Sequence, residues 1–328
     1  MDPAWALREI AFQLERAGEP TYRVRAFRNA AATVDKTAPE QLAQLAESGT
    51  LTSLPGIGKA TAGVIEDALA GRDPAYRSKI VEKKLPDGEP LRSALKGDCH
   101  THSDWSDGGS SIGEMAVAGR DIGHEWMVLT DHSPRLTVAN GLSPDRLRTQ
   151  MQIVAKANEL MAPFRLLHGI EVDILDDGSL DQEEELLGQL DFVVASVHSK
   201  LRMPARDMTR RMLAAVRNPH TRVLGHCTGR LVVGRGRPQS EFDAEAVFTA
   251  CRENGVAVEI NSRPERLDPP MKLLRLAAEL GCEFAIDSDA HAPGQLDWQP
   301  YGCERAIEAG IGPERIINTR TADELLSR

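Results

Sequence analysis

From residue 97 onward, short apolar and β-branched runs alternate with amphipathic segments. GDCH opens the series. WMVLTD (126–131), RLLHGIEVDI (165–174), DFVVASV (191–197), RVLGH (222–226), VAVEI (256–260) and EFAIDSD (283–289) follow. Between them lie IGEMAVAGRDIG, PDRLRTQMQIVAKANELM, MTRRMLAAVRN, DAEAVFTACRENG and MKLLRLAAELG, whose apolar residues recur at helical spacing. Parallel strands need long crossovers between them, and helices supply these. The alternation therefore predicts an α/β fold with a parallel sheet, and seven strand candidates suggest closure into a barrel.

In such a barrel the C-terminal ends of all strands open on one face. The first run carries His100 and His102, with Asp107 in the next loop; the second ends in Asp131-His132 and the third in Glu171. His198, His226 and Glu259-Ile260-Asn261 end the fourth, fifth and sixth, and Asp289 and His291 end the seventh. Six of the nine histidines thus fall at strand ends, whereas His124, His168 and His220 do not and read as structural or surface residues. A lone HxH is more often an exposed face or a hydrogen-bonded core pair. The convergence of the whole set instead predicts a metal site. Many imidazoles with few carboxylates suit zinc, manganese or iron better than calcium or magnesium. More than four ligands imply more than one ion, and the two oxygens of Glu171 make it the natural bridge. Arg230, Arg263 and Arg266 follow the fifth and sixth runs. They are either surface partners of acidic neighbours or bidentate grips on a phosphate, Arg230 and Arg266 being preferred for that role.

Residues 1–72 have a different grammar. LREIAFQLERAG, VRAFRNAAATVD and PEQLAQLAESG read as helices, and LPGIG is a tight turn launching the helix KATAGVIEDALA. Backbone amides around Gly56 and Gly58, with the charge of Lys59, can hold a DNA phosphate; the alternative is a glycine turn used only for packing. Residues 73–96 read as a helix passing into a linker. Residues 1–96 hold 14 Lys+Arg against 13 Asp+Glu, and residues 97–328 hold 25 against 36, so the first part carries +1, the second −11, and the acidity behind the net −10 lies in the second. That argues against nonspecific nucleic-acid binding by the chain as a whole and leaves acidity for cations to offset. There is no apolar run of membrane-spanning length, no signal-peptide pattern, and no CxxC among five cysteines. A reduced, cytoplasmic protein without a membrane partner is expected.

These residues also carry a family resemblance. GDCHTHSDWSDG, LTDHS, GIEVDI, ASVHS, LGHCTGRL, EINSRPERLD and IDSDAH resemble the successive motifs of the polymerase and histidinol phosphatase (PHP) family. The version is close to that at the C-terminal end of bacterial family X DNA polymerases, and the resemblance runs from residue 97 to about residue 325. It implies a distorted (β/α)7 barrel with three divalent metal ions. One ion would take His100, His102, Glu171 and Asp289. A second would share Glu171 and add His198 and His226, and a third would take Asp107, His132 and His291. Cys227 stands where the family pattern leads one to expect proline. LPGIGKATAGVI resembles a helix-hairpin-helix motif, and with TYRVRAFRNAAATV it makes residues 1–72 similar to the small N-terminal domain of family X polymerases. No nucleotidyl-transfer domain fits between the two parts. Val64 occupies the position, nine residues after Pro55, where some members carry a lyase lysine. Polymerase and lyase activities are therefore not expected.

The resemblance implies a metal-dependent phosphoesterase acting on DNA through backbone contacts that are not sequence-specific. It would be a 3′–5′ exonuclease or 3′-end-processing phosphatase in repair, with no organic cofactor. A hydroxide formed on the ions would attack phosphorus, and the remaining charge would stabilise the transition state. Two alternatives stay open: a small-molecule phosphatase of the histidinol-phosphate type, and a DNA-binding scaffold with structural metals.

Overall fold

The computed structural model describes residues 1–81 and 83–327, and the chain divides into two compact units, Met1–Lys84 and Leu85–Arg328. The first unit is built on helices Pro3–Arg16, Thr21–Asp35, Pro39–Glu47 and Lys59–Leu69. The first helix starts where Asp2 accepts the Trp5 N–H at 2.7 Å and Pro3 takes the first helical position, where no N–H is needed. Leu7, Ile10 and Leu14 recur at helical spacing and are buried with Phe27, Ala30, Val64, Ile65 and Ala68. Residues 73–96, read above as helix and linker, are divided between the two units. In the first, the turn Ala75–Lys79 sets the Tyr76 ring 4.7 Å from that of Phe27. In the second, the short helix Leu91–Ala94 helps bury Leu91 and Leu95 in the core of the larger unit.

The second unit carries seven parallel strands in sequence order: β1 (Gly97–Thr101), β2 (Trp126–Leu129), β3 (Arg165–Asp173), β4 (Phe192–Ser196), β5 (Val223–Leu224), β6 (Ala257–Asn261) and β7 (Phe284–Asp287). Helices intervene between them, giving the barrel that the alternation predicts. The period of two places apolar and polar residues in layers on one face. Cys99, Leu167, Phe192, Val194, Val223, Ala257 and Ala285 form one buried apolar cluster. Further along the same faces come Glu171, Glu259 and Asp287, all essentially inaccessible to solvent.

Closure between β1 and β7 is made mostly by side chains. Thr101 pairs with Ala290 in an isolated parallel bridge, and the Cys99 N–H donates to Asp287 Oδ1 at 2.9 Å. Gln299 Nε2 donates to Gly97 O at 3.1 Å and Ile286 O at 3.0 Å. Asn318 Nδ2 reaches the same two carbonyls at 3.1 and 3.0 Å. Among the described residues, no helix is long and apolar enough to cross a membrane.

Candidate metal centre

The strand ends bring the predicted ligands together around Glu171, which is 1% exposed. Its Oε2 lies 2.9 Å from His132 Nδ1, 3.3 Å from His100 Nε2 and 3.6 Å from His102 Nε2. Its Oε1 lies 2.9 Å from His226 Nε2 and 3.2 Å from His198 Nε2. Asp289 Oδ1 is 3.5 Å from His102 Nε2, and Asp107 Oδ1 is 3.4 Å from His132 Nε2 and 3.3 Å from His291 Nε2. Three groups have ligand atoms within 4.8 Å of one another: His102–Asp107–His132–His291, His100–His102–Glu171, and His132–Glu171–His198. His102 thus lies close to the group expected for a third ion as well as to that for the first.

The donor set fits divalent cations on the chain's own geometry. Both oxygens of Glu171, both ring nitrogens of His102 and His100 Nε2 are buried without a hydrogen-bond partner. An unpaired buried polar atom is costly, and an ionised carboxylate more so; a shared cation would satisfy both the carboxylate and the imidazoles. Burial and the neighbouring His291 and His132 hold His102 well below the usual imidazole range, which leaves it in the neutral form that binds metal. Burial opposes ionisation of Asp107, but hydrogen bonds from His132 and His291 outweigh it and keep the carboxyl low. Asp289 adopts φ 51°, a left-handed conformation uncommon outside glycine, so the fold holds this side chain in place at some backbone cost.

Around this centre lies a ring of partners. Glu259 Oε1 is 2.6 Å from His100 Nδ1, and Asp173 Oδ1 is 3.3 Å from His198 Nδ1. Asp131 accepts from the Ser103 N–H at 2.8 Å, Ser103 Oγ at 2.6 Å and Gln150 Nε2 at 2.6 Å, fixing the loop after β1. These three carboxylates have no role among the ligands expected from the sequence. Period-two spacing from Glu171 to Asp173 and from Glu259 to Asn261 was the available signal.

The arginines divide. Arg266 Nε lies 3.2 Å from Asp289 Oδ2, and Arg263 Nη1 lies 3.6 Å from Asp289 Oδ1. Arg230 instead spends its guanidinium on backbone: Nε donates to Arg266 O at 3.1 Å and Nη2 donates to Leu267 O. Cys227 is buried, and desolvation pushes its thiol well above the usual range, away from the thiolate that metals require. His124 pairs with Gln299 and His168 with Gln150, each at 2.9 Å, while His220 faces Glu184 at 3.0 Å.

In the helical unit, Gly56 has φ 76°, which only glycine adopts freely. The Gly58 N–H is taken by Thr61 Oγ1 at 2.9 Å. Lys59, Ala60 and Thr61 follow at the first turn, where amides lack intrahelical acceptors. Val64 is buried.

Comparison with known proteins agrees with this division. Residues 1–73 match a helix-hairpin-helix domain and residues 98–263 match the PHP domain. The chain is 38% identical over 231 residues to the DNA polymerase/3′-5′ exonuclease PolX of Bacillus subtilis, a match covering 70% of this chain and 40% of that protein. It is 32% identical over 242 residues to a “Probable phosphatase” of Acetivibrio thermocellus, covering 70% of this chain and 95% of that one. The crystal structure of a histidinol phosphate phosphatase from Lactococcus lactis, complexed with zinc, L-histidinol and phosphate, aligns with a TM-score of 0.45 at 18% identity. That alignment covers 66% of this chain and 95% of the other.

Proposed function

This chain belongs to the PHP domain family and carries a helix-hairpin-helix domain ahead of its barrel, and on that premise we propose that it is a metal-dependent phosphoesterase acting on DNA. The proposed reaction is 3′–5′ exonucleolytic cleavage or removal of a 3′ phosphate. One observation carries the reading: five imidazoles face the two unpaired oxygens of buried Glu171, with Asp289 and Asp107 beside them. His100, His102, His132, His198, His226, His291, Asp107, Glu171 and Asp289 would hold three divalent ions, with zinc, manganese and iron favoured by the donor types. When bound, such ions supply an activated water and neutralise charge on the phosphoryl oxygens.

The chain's own residues supply the rest. Glu259, 2.6 Å from His100 Nδ1, and Asp173, which accepts the His198 N–H at 3.1 Å, would help present the two histidines to the centre. Arg266, ion-paired with Asp289 at the edge of the centre, would grip a phosphate oxygen with its remaining N–H groups. Arg230 was preferred for the same role, but its bonds to the Arg266 and Leu267 carbonyls support a part in shaping that loop. Gly56, Gly58 and Lys59 would contact the DNA backbone, Gly58 by close approach because its N–H is held by Thr61 Oγ1. Dephosphorylation of a small molecule, which the barrel alone would allow, is the second reading; the relative that aligns over nearly its whole length is named a “Probable phosphatase”.

The test gives the purified protein, with and without manganese, single-stranded DNA, 3′-phosphorylated DNA and histidinol phosphate side by side. Manganese-dependent turnover of either DNA substrate above that of histidinol phosphate is expected. The reverse preference would establish the second reading, and no metal-dependent turnover of any would overturn both.

A further inference from the structure

Six of the seven strands deliver a candidate ligand to the centre: β1 His100 and His102, β2 His132, β3 Glu171, β4 His198, β5 His226, and β7 Asp289 and His291. β6 delivers none. It ends in Glu259-Ile260-Asn261, and the period of two puts Glu259 and Asn261 on one face. Both are completely buried. Glu259 Oε1 is 2.6 Å from His100 Nδ1, while Oε2 accepts the His226 backbone N–H and the Asn261 amide at 3.2 Å. The same Asn261 Nδ2 donates to Asp289 Oδ2 at 3.1 Å, and Asn261 Oδ1 accepts the Arg263 N–H at 3.1 Å.

We propose that Glu259 and Asn261 are positioning residues through which β6, the strand without a ligand, sets the metal centre by fixing His100, His226 and Asp289 from β1, β5 and β7. A carboxylate only accepts, so His100 Nδ1 must carry the ring proton, and the lone pair of Nε2 is left for a cation beside Glu171. The other Glu259 oxygen faces two further donors. An amide in its place would meet only one side of this arrangement. With its oxygen toward His100 it sets an NH2 against the His226 N–H; turned round, it sets an NH2 against His100 Nδ1 and reverses the tautomer. Asn261 separates Glu259 from Asp289 and donates to both, so a carboxylate at 261 would place three acceptors together without a donor.

The inference rests on the metal-centre reading. Its test is chelator-competition titration of the metal-free full chain with zinc, alongside the melting temperature of the metal-free protein. Glu259→Gln is expected to weaken the two zinc-binding steps that would use His100 and His226 about 10- to 100-fold, the usual consequence of losing a partner of a ligating histidine. The remaining step and the metal-free melting temperature should stay near those of the parent. Asn261→Asp is expected to weaken zinc binding likewise, and it carries the test by itself if Glu259→Gln does not fold. Equal zinc affinities in parent and variants would overturn the positioning role while leaving the metal centre intact. Loss of all binding steps together with a lowered metal-free melting temperature would reduce the pair to structural support and overturn it as well. A parent chain that binds no zinc, manganese or iron would remove the metal-centre reading, and this inference with it.

Discussion

Glu171 Oε2 lies 2.9 Å from His132 Nδ1, although the two residues come from neighbouring strands and neither oxygen of the carboxylate has a hydrogen-bond partner. The carboxylate is held ready to face cations on two sides. Glu171→Gln halves that capacity, because an amide offers one acceptor and one donor. Bound metal is expected to fall further than in any single histidine variant, with turnover lowered more than about 100-fold. Metal analysis alongside phosphoester hydrolysis checks this; full occupancy with normal turnover would refute the assigned cluster.

Arg266 and Arg230 are expected to separate kinetically. Arg266→Gln removes a guanidinium at Asp289 and should raise KM for a phosphoester about tenfold, the effect of one lost charge-assisted contact. Arg230→Gln breaks bonds to the Arg266 and Leu267 carbonyls and should first lower the melting temperature. Equal KM effects with unchanged melting temperatures would place both arginines on substrate.

Stability should fall with acid through His124. Burial, with Arg92 nearby, pushes this imidazole down to about 4 from an ordinary value of 6.5. The unfolded chain therefore binds the proton first. The stabilisation is present above pH 6.5 and is lost as pH falls towards 4. His124→Asn should lose about 2 kcal/mol less than the parent between pH 7 and pH 5 in urea titrations. Comparing the two proteins cancels the titration of the metal-centre histidines. Identical losses would mean that His124 stays accessible to protons in the folded state.

The two glycines of the turn should respond differently to alanine. At Gly58 an added Cβ meets nothing within 4 Å, and φ is an ordinary −99°. At Gly56 the left-handed φ of 76° makes alanine strained by about 1–2 kcal/mol. Gly56→Ala should lower the melting temperature. Gly58→Ala should leave the helical unit folded while weakening oligonucleotide processing most at moderate salt, as expected for backbone phosphate contacts. Hydrolysis of p-nitrophenyl phosphate should be unchanged. Unaltered oligonucleotide processing in Gly58→Ala would assign the turn to packing.

Borohydride trapping on DNA with an abasic site should give no adduct. Val64 has no amine for a Schiff base and is buried besides. A trapped adduct would point to Lys59 or another lysine of the helical unit.

Much of this centre was legible because strand period and strand-end chemistry are local. His100, Glu171 and Asp289 could be paired from their places at the ends of apolar runs, since a parallel barrel directs all those ends to one face. Glu259 was as visible in the sequence as Glu171, yet its role depends on a histidine 159 residues away. Arg230 has bonds that could not be read for a similar reason: its Nε and Nη2 donate to the Arg266 and Leu267 carbonyls. A guanidinium next to a ligand strand looks available until the fold supplies carbonyls that consume it. β5 shrank from the five residues of RVLGH to Val223–Leu224. Apolar character marks burial there, but ladder length is set by how far the neighbouring strands run alongside.

The seam between β1 and β7 gives the chain an order of assembly. Asn318 closes onto Gly97 across 221 residues, and Gln299 does so across 202. At roughly 5–20 residues per second of synthesis, β1 waits for on the order of ten to forty seconds before its closing partners exist. During that interval His100 and His102 have left the ribosome without Asp289 or His291. A nascent chain that captured a metal early would do so with an incomplete set of ligands. The full set of candidate ligands exists only once the last part of the barrel has been made.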